Sequence, residues 1–184
     1  FGKRVSVIIA RSGDLITYMY VQVDLPELQD AEDTAWCPEI GHALILCVEV
    51  EIGGQRIDRH YGEWLHIWKE LTLGAGKVDG YNKMIGNVPE LTNFGPDYAT
   101  KPRRTVYVPL QFWFCRNAGL AIPLIALQYH EVRVNVEFRR LSECLLTRQP
   151  LVDGASRIDP DVVEQYSGPS LNFADCALYV DYIY

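Results

Sequence analysis

Several groupings of side chains in this sequence could do chemistry. His60, Glu63 and His66 recur every third residue. On a helix that spacing puts them toward one side, where an imidazole–carboxylate set could ligate a metal. Ligands at i, i+3 and i+6 drift around a helix, however, and the HExxH order is absent, so a polar face beside Trp64 and Trp68 is the expected role. Gly74-x-Gly76-Lys77 has part of a phosphate loop, but Leu71 stands where its first glycine belongs and Val78 replaces the Ser/Thr that would hold magnesium. His130 and Glu131 are adjacent in a strand-like run and so point to opposite faces. Gly168-Pro169-Ser170 lacks the pattern of a nucleophile elbow. The carboxylate pairs Glu49/Glu51 and Asp159/Asp161 read as surface charge, since spacing alone does not set them across a cleft. Phe112-Trp113-Phe114 could stack on sugars or bases. Three consecutive aromatics on a strand instead suit burial on both faces, in a core and an interface.

The elements that must position these residues are mostly strands. Lys3 to Ala10 and Leu15 to Leu25 are β-branched and partly alternating, and Ser12-Gly13-Asp14 between them predicts a tight turn joining two strands. Glu27 to Ile40 is acidic and turn-rich, hence a loop. Ala43 to Ile52 is a strand, with Cys47, Glu49 and Glu51 on a polar face and Val48, Val50 and Ile52 on a buried one. Gly53-Gly54 stops it and lets the chain turn sharply. From Asp58 to Leu71 the period changes: Tyr61, Trp64, Leu65, Trp68 and Leu71 predict a short amphipathic helix. Thr72 to Arg104 is a long connection with little pattern. Thr105 to Leu110 is a strand that Pro109 marks as an edge or an end. Further strands are expected within Leu124 to Phe138, within Leu141 to Leu151 and over Ala177 to Tyr184. About seven strands, one helix and two long loops make an all-β sandwich.

Composition narrows the function. The chain has 184 residues, 48% of them hydrophobic, which supports one large domain with a real core. Its net charge of −7 argues against direct nucleic-acid binding. The densest basic clusters, Lys101-Pro102-Arg103-Arg104 and Arg139-Arg140, read as a solvated loop or strand end. Five cysteines at wide spacings fit neither a disulfide framework nor a zinc ribbon, and Cys47, Cys115 and Cys176 lie in apolar runs that predict buried free thiols. The longest apolar stretch, near Leu120 to Leu127, falls short of the ~20 residues of a spanning helix, so no membrane insertion is expected. Opening at Phe1 and closing at Tyr184 inside an apolar run suggest a piece of a longer polypeptide.

The longer segments carry a resemblance. Ile40-Gly41-His42-Ala43 leads to VEVEIGGQRIDRHYGEWLHIW (48–68), then GYNKMIGNVPELT (80–92), then YVPLQFWFCRNAGLAIPLIALQYHEVRV (107–134). Together with RSGDLI (11–16) and LYVDYIY (178–184), these resemble the double jelly-roll major capsid proteins of nucleocytoplasmic large DNA viruses, the iridovirus and phycodnavirus type. The resemblance covers nearly the whole chain in order. It implies an antiparallel jelly-roll β-sandwich over 1–184, the N-terminal jelly roll of a double jelly-roll protein with its first strand missing and a second jelly roll expected after 184. A jelly roll has eight strands, one more than the pattern supplies.

The resemblance further implies a structural role in the virion, with no catalysis and no cofactor. Three chains would form a pseudo-hexameric homotrimer that tiles an icosahedral shell beside neighbouring capsomers and minor capsid proteins, assembled in the host cytoplasm. Under it Trp64 and Trp68 would anchor the helix, and Pro109, Phe112, Trp113, Phe114 and Pro123 would set the path and packing of a strand and the loop after it. A carbohydrate-binding or glycan-processing jelly roll is the alternative; it needs exposed aromatics beside paired carboxylates. A cupin-type metalloenzyme would need clustered histidines, and the four here are scattered in sequence.

Overall fold

The computed structural model describes residues 1–29, 31–147 and 172–184. In chain order the elements are β1 (Arg4–Ile8), β2 (Leu15–Leu25), β3 (Thr34–Trp36), α1 (Ile40–Ala43), β4 (Ile45–Ile52), β5 (Gln55–Tyr61), α2 (Gly62–Thr72), α3 (Val78–Met84), α4 (Pro89–Thr92), β6 (Arg104–Pro109), α5 (Trp113–Arg116), β7 (Ile122–Pro123), β8 (Val132–Phe138), β9 (Leu145–Thr147) and β10 (Cys176–Ile183).

Alternation decides which side of each strand is buried. Along β2, Met19, Val21, Val23 and Leu25 point inward, while Tyr18, Tyr20, Gln22 and Asp24 point outward. Val48 and Val50 of β4 and Val132, Val134 and Val136 of β8 form the opposing inner face. Each such side chain, fully buried, is worth about 1.5–3 kcal/mol. Two antiparallel sheets result, with strand orders β1-β8-β4-β5 and β10-β2-β6, and β7 pairs with the start of β2. The chain crosses repeatedly between the sheets and closes on one hydrophobic core, the antiparallel jelly-roll sandwich. Among the described residues one sheet has four strands. In the other, β10 is an edge whose outer side has no strand beside it among the described residues, and Leu178, Val180 and Tyr182 are only partly covered.

The structure departs from the sequence pattern in instructive places. Residues 3–25 are not a hairpin: β1 pairs with β8 and β2 with β10 and β6, so the turn at Ser12–Asp14 carries the chain from one sheet to the other. Ile9 is drawn into the core and its amide bonds Val132, which breaks any local pairing. The expected helix from Asp58 starts only at Gly62, because Gly53 and Gly54, at φ 60° and 80°, form a two-residue turn that pairs Gln55–Tyr61 with β4. Among the described residues one helix becomes five, since the long connections are tied down by short helical turns that bury Ile40 and Leu91. The loop at Glu27 to Ile40 contains β3, paired with β9, and a fully buried Trp36.

Lys101 is no solvated cation. It is fully buried and donates to the carbonyls of Asn93, at 2.8 Å, and Tyr98. Nor is Glu49 surface charge. It is buried on the polar side of β4, where Arg4, Arg56 and Arg59 surround its carboxylate. All five cysteines are free, but Cys176 is exposed on the edge strand. Burial pushes Cys37 and Cys115 up to about 11, so both stay protonated thiols at neutral pH.

Candidate functional site

The outward face of the β10-β2-β6 sheet is built from tyrosines. Tyr20 stands opposite Tyr179 and Pro109, and Gln22 opposite Tyr107. Pairing therefore brings together aromatics that are far apart in sequence. The Tyr20 and Tyr179 rings stack with centroids 5.0 Å apart, and Tyr107 meets Tyr20 edge-on at 6.0 Å. Tyr18 is half exposed and Tyr179 nearly so.

This face runs into an apolar cleft of about 570 Å³ whose walls include Tyr18, Tyr20, Trp68, Met84, Pro109 and Arg116. Helix α2 supplies Trp68, and α5 supplies Arg116. The Arg116 guanidinium lies 4.1 Å from the Trp68 ring centroid and donates from Nε to the Gln111 carbonyl. A cation held over an indole and fixed at its other end is already ordered before a partner arrives. Tyrosine, tryptophan, methionine and arginine are the side chains that protein interfaces concentrate.

The residues singled out in the sequence divide between this surface and the core. Pro109 ends β6 and lines the cleft. Phe112, Trp113 and Phe114 do not lie on a strand; Trp113 opens the turn of helix α5. Phe112 and Phe114 are fully buried and stack on each other at 5.6 Å, and the half-buried Trp113 packs edge-on against Phe114. Helix α2 is seated chiefly by Leu65, with Trp64 and Trp68 half-buried beside it. Gly62 starts the helix where a Cβ would lie 2.3 Å from the His42 carbonyl oxygen. Gly53 and Gly54 stay at the β4–β5 turn, and Pro123 is exposed in β7.

The ligand triplet read at three-residue spacing is dispersed. His60 belongs to β5, buried between Trp64 and Phe112, with its ring stacked on Trp64. Glu63 pairs with Arg139. His66 instead meets Glu39 and His42 of the α1 turn, a grouping that no sequence spacing reveals. Glu51 accepts from Asn135 at 2.7 Å, so Glu49 and Glu51 serve the polar side of a sheet and not a cleft. Gly74–Lys77 is an exposed turn, and His130 sits beside the β4–β5 turn. Asp159, Asp161 and Gly168-Pro169-Ser170 lie outside the described residues.

Comparison with known proteins is consistent along the whole chain. Residues 1–184 match the family model described as major capsid protein N-terminus. The chain is 48% identical over 185 residues to the major capsid protein of Pyramimonas orientalis virus, covering 100% of this chain and 40% of that protein. It is 44% identical over 209 residues to the major capsid protein of Phaeocystis pouchetii virus, covering 100% of this chain and 39% of the relative. In three dimensions it is similar to the crystal structure of PBCV-1 VP54 fitted into a reconstruction of the virophage Sputnik. The TM-score is 0.70 at 32% identity, over 99% of this chain and 38% of that one. The chain thus spans about two fifths of the length of the relatives it matches.

Proposed function

Because this chain belongs to the family of major capsid protein N-termini of large DNA viruses, we propose that it is the N-terminal jelly roll of a capsid subunit and that its work is assembly. In this reading a second jelly roll follows it in the polypeptide, three polypeptides form a pseudo-hexameric capsomer, and capsomers tile a shell with minor capsid proteins between them. The subunit is assembled into the shell in the host cytoplasm, resides in the virion and catalyses nothing.

The observation that carries the reading is the tyrosine face with its adjoining cleft. A sheet whose outward side faced only water would alternate polar residues there. Here that side offers Tyr18, Tyr20, Tyr107 and Tyr179 beside Gln22 and Asp24. We assign this face to contact with a neighbouring jelly-roll domain. Gly53, Gly54, Trp64, Trp68, Pro109, Phe112, Trp113, Phe114 and Pro123 are residues that shape the fold. Obligate interfaces of this kind bury roughly 2,000–5,000 Å², and repetition over a shell multiplies weak contacts into a stable lattice.

The native mass of the intact polypeptide, by size exclusion with light scattering, tests this. A trimer is expected. A stable monomer at every concentration would remove the assembly argument and return attention to the glycan-binding alternative, for which a glycan array is the direct assay.

A further inference from the structure

Glu39, His42 and His66 bring three ligand atoms within 4.8 Å of one another. Both imidazole Nδ1 atoms converge on one carboxylate oxygen: His42 lies 2.9 Å and His66 2.8 Å from Glu39 Oε2. The three residues come from separate places. Glu39 precedes α1 with its backbone at φ 53°, in the left-handed region. A non-glycine residue persists there only when its surroundings hold it. His42 is buried on α1, and His66 is about half exposed on α2.

We propose that Glu39, His42 and His66 form a binding site for a divalent transition cation of the zinc class. Two imidazoles and one carboxylate are a ligand set that suits zinc and leaves a fourth position for water. The cluster borders a cavity of about 570 Å³ through which a cation and its water could enter. Zinc bonds of about 2.0–2.2 Å place neighbouring ligands roughly 3.3 Å apart. The two imidazole–carboxylate separations, 2.9 and 2.8 Å, are about half an ångström short of that, and all three ligand atoms lie within 4.8 Å of one another.

The surroundings are already arranged as a supporting shell. His42 uses its other ring nitrogen, Nε2, to meet the Tyr81 hydroxyl at 2.9 Å. A hydroxyl can donate or accept, so Tyr81 serves either tautomer and can accept a hydrogen bond from Nε2–H once Nδ1 is on a metal. Lys69 donates to the second oxygen of Glu39 at 2.8 Å, which leaves Oε2 aimed at the imidazoles. Its charge is shared with Glu70, 2.7 Å away, so Glu39, Lys69 and Glu70 together carry one negative charge when both imidazoles are neutral. Lys69 and His66 both hydrogen-bond the Glu39 carboxylate, which favours its ionised form. A cation here would clamp α2 to the α1 turn, a link independent of the tyrosine face.

The test is titration of the chelator-treated intact polypeptide with zinc chloride, followed by calorimetry and thermal melting. One zinc per chain and a raised melting temperature are expected. His66→Ala and His66→Gln alter a half-exposed side chain, so both should fold with a small fall in metal-free melting from the lost Glu39 contact, while zinc binding weakens at least about tenfold. Tyr81→Phe, which touches no metal, should weaken it about ten- to a hundredfold. No zinc uptake by the parent, or uptake by both His66 variants with unchanged affinity, would overturn the site. Either result would leave Glu39, His42 and His66 as a hydrogen-bonded contact between α1 and α2.

Discussion

Arg4 reaches across β8 to place its guanidinium 2.6 Å from the carboxylate of Glu49 on β4. Arg56 and Arg59 approach the other carboxylate oxygen at 3.3 Å each. The arginines are partly exposed and the carboxylate is not, so its charge depends on several partners that water could each replace. Arg4→Ala and Arg56→Ala should therefore each cost less than about 1 kcal/mol. The double variant should exceed their sum by about 0.5–3 kcal/mol, because the buried charge then loses most of its compensation. Urea unfolding of the four proteins measures this, and simple additivity would refute the shared role of Glu49.

Buried His60 gives stability a dependence on pH. Burial is the main cause that lowers its pKa from the ordinary 6.5, helped by Arg116 and opposed by Asp58. The folded state thus takes up the proton less readily than the unfolded one. Stability is present in full above about pH 6.5 and falls as pH drops toward the folded value. His42, also lowered chiefly by burial, acts in the same window. Melting curves from pH 7.5 to 5 should show the decline, and His60→Gln should make it shallower. An unchanged slope would mean that His60 titrates alike in both states.

Two glycines should respond differently to the same methyl group. At Gly62 a Cβ would lie 2.3 Å and 2.6 Å from the carbonyl oxygens of His42 and Ile45, so backbone must move. Gly62→Ala is expected to cost about 3 kcal/mol or more. At Gly54 nothing lies within 4 Å, and only its φ of 80° resists a side chain. Gly54→Ala should cost about 1 kcal/mol. Thermal unfolding ranks the two.

The tyrosine face can be separated from the fold by charge. Tyr107→Glu and Tyr179→Glu alter partly exposed rings and should keep the circular dichroism of the fold, at a cost of about 0.5–1.5 kcal/mol for the lost ring contact with Tyr20. On the trimer proposed above, they should shift light scattering of the intact polypeptide from trimer to monomer. Retention of the trimer in both variants would place the contact elsewhere.

Legibility in the sequence followed hydrophobic period. β2, β4, β6, β8 and β10 were readable because apolar residues recur at every second position in at least part of each strand. β5 was not, because Gln55–Tyr61 lies at a sheet edge with most of its side chains exposed, and its boundary is set by the Gly53-Gly54 turn. Lys101 resembled surface charge because residue type does not say that two carbonyls await it. The tyrosine face depends on register between strands distant in sequence. Its local trace is the placement of Tyr18, Tyr20, Tyr107 and Tyr179 on the opposite parity from the core valines. The Glu39, His42 and His66 grouping needs α2 to fold back on α1, which local pattern does not encode.

The pairing of β10 with β2 sets Val180 against Met19 and Leu178 against Val21. Nearly the whole chain separates these partners, and β1 likewise waits for β8. Contacts so remote in sequence fold slowly, on the scale of milliseconds to seconds. Neither described sheet can complete its pairing until its late strand has been made, so β1 and the β10 side of β2 stay unpaired while the segments between them are synthesised. These two open edges are where a stray strand would pair before the native one arrives.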